Sequence, residues 1–312
     1  MLKSYAVAPV ERLPCELIQH IFLLTDMDTN LPRASPLLSR SLLDQYILLK
    51  YCERAFARPS NSNQAVNYRE RLERRQRQIK AFSMNWMTWS FFSSFLIWWK
   101  ERSAAADMGH LDPGQFELEL SDEKRQLQAR RSNLSCPWLP EIVCPLPNKL
   151  LRGPFTPEKL AFIRCLLSIS NASVDWASKE SVRLSTAAKV EAILERNFEA
   201  VHLLSRNRRL AKAPNLELVK FAVIEGGCDR SIVFELMTAA RQWGLRRWVD
   251  VELDAWVARE IAKGNPKARW LRLKLEELRF GNYPDPKTGD YAGDGLMVKR
   301  TTQVETNAIQ EL

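Results

Sequence analysis

Between residues 187 and 281, apolar side chains recur at steps of three and four, and four successive segments each stop at a glycine. Val190, Ile193, Leu194, Phe198, Val201 and Leu204 hold this spacing. It returns in NLELVKFAVIEG (215–226), DRSIVFELMTAARQWG (229–244), RRWVDVELDAWVAREIAKG (246–264) and PKARWLRLKLEELRFG (266–281). That period puts the apolar groups on one face of an α-helix, a face that has to be buried against a neighbour. Gly226, Gly244, Gly264 and Gly281 suit the left-handed residue that closes a helix. The expected arrangement is antiparallel helix pairs stacked like a short solenoid. The segments share no alignable consensus, so the repeat is one of structure, and an ankyrin assignment is not supported.

The same reading extends upstream. Thr156-Pro157-Glu158 opens LAFIRCLLSI with a cap, a proline at the first helical position and an acid in the first turn. Residues 13–24 (LPCELIQHIFLL) place Leu17, Ile18, Ile21 and Leu24 at helical steps. In LPRASPLLSRSLLDQYILLKYC, Ser35 suits a cap, Pro36 the first helical position, and Leu38, Leu42, Leu43, Tyr46 and Ile47 an apolar stripe. Eleven glycines and ten tryptophans in 312 residues also favour helices over repeated short strands. The fold class is all-α. Residues 10–55 form a small N-terminal three-helix module, 64–102 are linker helices packing on the body, and 103–154 are an irregular proline-rich connection with one helix near 121–131. The helical body spans 155–281, and a disordered tail spans 282–312.

The run 81–99 (AFSMNWMTWSFFSSFLIWW) is the candidate membrane span. It contains Asn85, Thr88 and serines at its middle and spreads its aromatics throughout, which suits the centre of a packed core better than a bilayer. The net charge of +9 raises an acidic partner or nucleic acid. In the basic segments 69–80 and 206–212, however, the charges share helices with Leu72, Ile79, Leu203 and Leu204, so they read as solvated faces whose aliphatic stems lie on the core. Six scattered cysteines without a CxxC pair fit a reducing compartment, cytoplasmic or nuclear. The apolar run before Glu11 and Arg12 is shorter than a secretory signal needs, so the sequons at Asn133 and Asn171 are expected to be unused.

Chemistry is sparse. There is no phosphate loop, GxSxG, HExxH or EF-hand spacing, and His20, His110 and His202 are isolated. Cys136 and Cys144 lack partners for a zinc set. Asp250, Glu252, Asp254, Glu276 and Glu277 alternate with Arg and Lys in the manner of surface helix pairs. No cofactor, metal or catalytic residue is therefore assigned. Trp243, Arg246, Arg247 and Trp248 are the most tempting surface contacts of the body.

The N-terminus is more specific. Leu13-Pro14-x-Glu16-Leu17-Ile18-x-x-Ile21-Phe22, continued by Asn30-Leu31 and by Leu37, Leu38 and Arg40, resembles the opening of an F-box. NLPRASPLLS is similar to a divergent F-box-like group of filamentous fungi. The tryptophan that many F-boxes carry near the end of the module is missing, and SRSLLDQYI stands there. The resemblance implies a non-enzymatic substrate receptor of an SCF-type ubiquitin ligase. Leu13, Pro14, Glu16, Leu17, Ile18, Ile21, Phe22, Leu31, Leu37 and Leu38 would bind a Skp-type adaptor and through it a cullin scaffold, and the body would recruit a protein substrate. The alternative is a helical scaffold in which the same apolar stripe packs only within the chain.

Overall fold

The computed structural model describes residues 8–25, 30–57, 68–106 and 140–288. Among them every regular element is helical, with thirteen α-helices, two short 310 turns and no strand. The protein is all-α. Its chain divides into two compact units.

The first unit contains α1 (Cys15–Leu24), α2 (Leu31–Ala34), α3 (Pro36–Leu42), α4 (Gln45–Phe56), α5 (Tyr68–Ser83), α6 (Trp89–Ala106) and the strip 140–143. Ser35 caps α3 as expected, its hydroxyl accepting the Leu38 N–H at 3.2 Å, with Pro36 in the first turn. Asp44 caps α4 through the Tyr46 N–H. Helices α5 and α6 pack on α4 within this unit. The reason is aromatic. Phe56 meets Phe82 at 5.3 Å and Phe95 at 5.6 Å between ring centroids, and Phe82 meets Phe92 at 5.8 Å. All four are almost completely buried, and such ring pairs add to the area they hide.

The run 81–99 is not one helix. It breaks at residues 84–88, where the Thr88 hydroxyl accepts the Phe91 N–H and starts α6. No described helix is long and apolar enough to cross a membrane. Helix α5 also departs from expectation, because Leu72 and Ile79 are exposed while Arg74, Gln78, Ala81 and Phe82 are buried. Polar groups lead on the inner face because the strip 140–143 requires them. Gln78 donates to the carbonyls of Ala55 (3.0 Å) and Glu141 (2.7 Å) and accepts the Val143 N–H (2.8 Å). Arg74 pairs with the Glu141 carboxylate at 2.5 Å.

The second unit contains a 310 turn at Asn148–Leu151, then α7 (Pro157–Ile169), α8 (Lys179–Leu194), α9 (Phe198–Arg206), α10 (Leu216–Ile224), α11 (Arg230–Gln242), α12 (Val251–Ala262) and α13 (Pro266–Arg279). Each of the seven α-helices opens on a side-chain cap: Thr156, Ser178, Asn197, Asn215, Asp229, Asp250 and Asn265. Each cap satisfies a backbone N–H that helix geometry leaves without a partner.

Helices pack within the pairs α8/α9, α10/α11 and α12/α13, and pairs contact the next through α8 with α10, α9 with α11 and α10 with α12. The caps of the second helices fall at 197, 229 and 265, and those of the first at 178, 215 and 250, a period of roughly 35 residues. Ala188, Ala192, Ala222, Ala239 and Ala240 are fully buried, and their small side chains let neighbouring helices approach closely.

Gly244, Gly264 and Gly281 hold the expected left-handed conformation. Gly226 does not; the role passes to Gly227 (φ +74°) and Cys228 (φ +50°). A side chain on Gly226 would meet the Ala222 carbonyl and Ile193 at 2.7 Å, so this glycine serves the close approach of α10 to α8. Arg196 (φ +53°) closes α8 where no glycine stands, with the Asn197 N–H reaching back to the Ala192 carbonyl.

Residues 144–156 are not a loose connection. Cys144, Leu146, Leu150, Leu151 and Phe155 are buried, and the Leu146 N–H donates to the Ser173 carbonyl at 2.8 Å. Residues 282–288, expected within a disordered tail, return onto the second unit, with Asp285 bonded to Lys274 and Glu277 and Tyr283 beneath Arg241. The helix expected near 121–131 and the tail beyond 288 lie outside the described residues.

Candidate functional site

The ten N-terminal positions of the F-box-like pattern divide into two sets. Ile18, Phe22 and Leu38 are buried, at 1%, 4% and 2% exposure, and with Leu42 form the seam where α1 packs on α3. Gln19 locks that seam by donating to the Ser41 carbonyl at 3.0 Å. These three are the module's own core, so they cannot also line a docking face.

Pro14, Glu16, Leu17 and Leu37 are exposed, and Leu13, Ile21 and Leu31 are half-buried. On α1 the steps Pro14, Leu17, Ile21 and Leu24 describe one stripe, next to the buried one at Ile18 and Phe22. Leu17 is 49% exposed and Leu24 74%. Leu43, closing α3, and Tyr46, in the first turn of α4, are also exposed. The structure thus brings an apolar outer face to α1, whose Leu24 end was on the helical stripe of the sequence but outside the F-box-like pattern.

Of the body residues singled out, Trp248 is core. Trp243 donates to the Ser205 carbonyl and lies under the Arg208 guanidinium, 3.8 Å from the ring centroid. Arg246 and Arg247 are exposed. The acids of α12 and α13 are engaged in ion pairs: Asp250 and Glu252 with Lys220, Asp254 with Arg279, Glu276 with Arg272 and Glu277 with Lys274. The backbone N–H of Leu253, followed by Lys220, holds the Asp250 carboxyl below its usual range despite desolvation. Burial drives the Glu235 carboxyl up, but His202 and Arg206 more than offset it and leave it lowered. No group of His, Cys, Asp and Glu among the described residues has the arrangement of a metal site.

The basic segment 206–212 is not a uniform solvated face. Arg206 pairs with Glu235 at 2.5 Å. Arg209 turns inward, donating to the Ser170 carbonyl at 2.6 Å and to that of Leu167. Arg208 and Lys212 point to a cleft of about 830 Å³ that Trp176, Ala177, Lys179, Val182, Arg183, Ala211 and Ala213 complete. Sequence reading missed it because its two walls lie about thirty residues apart in the chain.

Beneath one wall, the buried Lys189 ammonium donates to the Lys212 carbonyl at 2.8 Å, and burial draws its pKa from 10.5 down to about 8. Between those values the unfolded chain keeps a proton that the folded chain has released, so stability rises with pH by up to about 1.4 kcal/mol per unit. Below pH 8 both states are charged and the gain is absent. In urea titrations between pH 7.5 and 10, Lys189→Met is expected to remove this rise relative to the native chain; parallel profiles would overturn it. The Cys165 and Cys228 thiols, raised by burial to about 12, act equally in both proteins and cancel.

The chain matches no family model, no curated protein and no solved structure.

Proposed function

We propose that the chain is a non-catalytic substrate receptor of an SCF-type ubiquitin ligase, its N-terminal module binding a Skp-type adaptor and its stacked helix pairs holding a protein substrate. The observation that carries this reading is the outer stripe of α1. Pro14, Leu17, Ile21 and Leu24 sit beside a seam that is already filled by Ile18, Phe22, Leu38 and Leu42. Exposed leucines on a short helix bundle favour burial in a partner's groove, at about 1.5–3 kcal/mol for each side chain fully covered. The resemblance of Leu13-Pro14-x-Glu16-Leu17 and its continuation to an F-box supplies the identity of that partner. Helix pairs stacked in a row offer an extended surface suited to recruiting a protein.

Binding of full-length protein to a purified Skp-type adaptor, measured by calorimetry, tests the reading. Leu17→Asp with Leu37→Asp is expected to weaken binding at least about a hundredfold while leaving the thermal melt unchanged. Ile18→Ala is expected to lower the melt instead, because it opens a cavity in the α1–α3 seam. If the native chain and the surface variant are alike in failing to bind, the helical-scaffold reading replaces this one. That second reading draws on the burial of Ile18, Phe22 and Leu38 within the module itself.

A further inference from the structure

Several basic side chains of the second unit are committed to carboxylates: Lys220 to Glu217, Asp250 and Glu252, Arg206 to Glu235, Arg152 to Glu180 and Arg279 to Asp254. The four that line the cleft at the start of α8 are not. Lys179, Arg183, Arg208 and Lys212 enter no ion pair among the described residues, and no acidic side chain lines the cleft with them. Glu180, in the same helical turn as Lys179, pairs instead with Arg152 at 3.5 Å. Four like charges gathered around one concavity repel one another, and a bound anionic partner relieves that repulsion.

The walls are fixed in advance. The Val174 N–H donates to the Arg209 carbonyl at 2.7 Å, tying the loop before α8 to the loop after α9. Arg209 adds its bond to the Ser170 carbonyl, and Lys189 holds the Lys212 carbonyl from the interior. Arg208 is braced over the Trp243 ring. The backbone of both walls and Arg208 are thus set before a ligand arrives, and the long side chains of Lys179, Arg183 and Lys212 are what binding has to order. Between the charges the cleft is apolar, with Ala177, Val182, Ala211 and Ala213 on it and Trp176 exposed at its edge.

From this geometry we propose that the cleft binds an acidic peptide segment of a partner protein, with aliphatic side chains against Val182 and the alanines and carboxylates on Lys179, Arg183, Arg208 and Lys212. Single-stranded nucleic acid fits less well. It calls for a series of aromatic platforms along a basic track, and Trp176 is the one aromatic residue lining this cleft. The inference does not depend on adaptor binding by the N-terminal module. Should that reading also hold, the acidic segment would belong to the recruited substrate.

The experiment is fluorescence anisotropy with the full-length protein and a fluorescein-labelled peptide of about twelve residues, built of Asp, Glu and Leu. A peptide with Lys at every acidic position and a single-stranded RNA of about twelve nucleotides run alongside. The expected result is binding of the acidic peptide alone, weakened as salt rises from about 50 to about 500 mM. Arg183→Glu with Lys212→Glu should reduce it more than about tenfold, the milder Arg183→Gln with Lys212→Gln less so, and Arg259→Glu on the exposed face of α12 not at all. All these side chains are exposed, so the melts should match that of the native protein. Loss of affinity in the Trp176→Ala variant would support a seated peptide over diffuse attraction. Absence of acidic-peptide binding at low salt, equal loss with Arg259→Glu, or tighter binding of the RNA would overturn the proposal.

Discussion

Gln78→Leu is expected to destabilise the N-terminal unit by about 3–5 kcal/mol, a large part of the about 5–15 kcal/mol that holds an ordinary domain. Gln78 is fully buried, and its amide serves three backbone groups at once. The Ala55 carbonyl lies in the last turn of α4, where no helical N–H follows to take it up. The Glu141 carbonyl and Val143 N–H lie in an irregular strip without ladder or helix partners of their own. Leucine fills a similar volume and satisfies none of them, so the effect comes from desolvated polar groups and not from a cavity. Hydrogen exchange of the α4–α6 amides in the native and variant chains reads the change for this unit separately, which a single melt of a two-unit chain does not. A change under about 1 kcal/mol would mean that solvent replaces the glutamine and the strip is held elsewhere.

The second large effect is expected at Lys274, which is completely enclosed. Its ammonium sits 3.1 and 3.2 Å from the two Glu277 oxygens and donates to the Asp285 carbonyl, while Glu277 also accepts the Asp285 N–H at 2.9 Å. Lys274→Met leaves a mostly buried carboxylate without its counter-charge, a loss of about 3–5 kcal/mol in comparable pairs. Lys274→Met with Glu277→Gln is expected to recover most of that loss, because the charge that burial penalises is then gone as well. Urea unfolding of the four corners of this cycle checks it. The single variant should also release residues 282–288, seen as faster proteolysis after Lys287. A double variant no better than the single would show that the ammonium matters mainly for the Asp285 carbonyl.

Helices with local signals were legible in the sequence, and contacts across the chain were not. The caps at Ser35 and Thr156 and the closures at Gly244, Gly264 and Gly281 are read from a few consecutive residues, and the structure uses each as expected. Arg196 closes a helix in the same way without the glycine that would have announced it. Helix α5 misled because Leu72 and Ile79 look like its inner face, whereas a strip more than sixty residues away calls Arg74 and Gln78 inward. The F-box-like pattern names residues by type and spacing, and Leu17 and Ile18 are alike on both counts. Only packing tells that one is surface and the other core. The basic cleft escaped for a related reason, since a run such as RNRRLAK carries no sign that Arg206 and Arg209 are spent internally while Arg208 and Lys212 stay unpaired.

The strip 140–143 also gives the N-terminal unit an order of assembly. Helices α1–α6 are complete by residue 106, but the groups that Arg74 and Gln78 hold arrive only with Glu141 and Val143. On a ribosome adding about 5–20 residues per second, roughly 2 to 7 s separate the two events. During that interval the nascent unit carries its aromatic centre without its clamp. A released fragment ending before residue 140 would keep that condition permanently, and the smallest N-terminal piece able to reach the native arrangement runs through Val143.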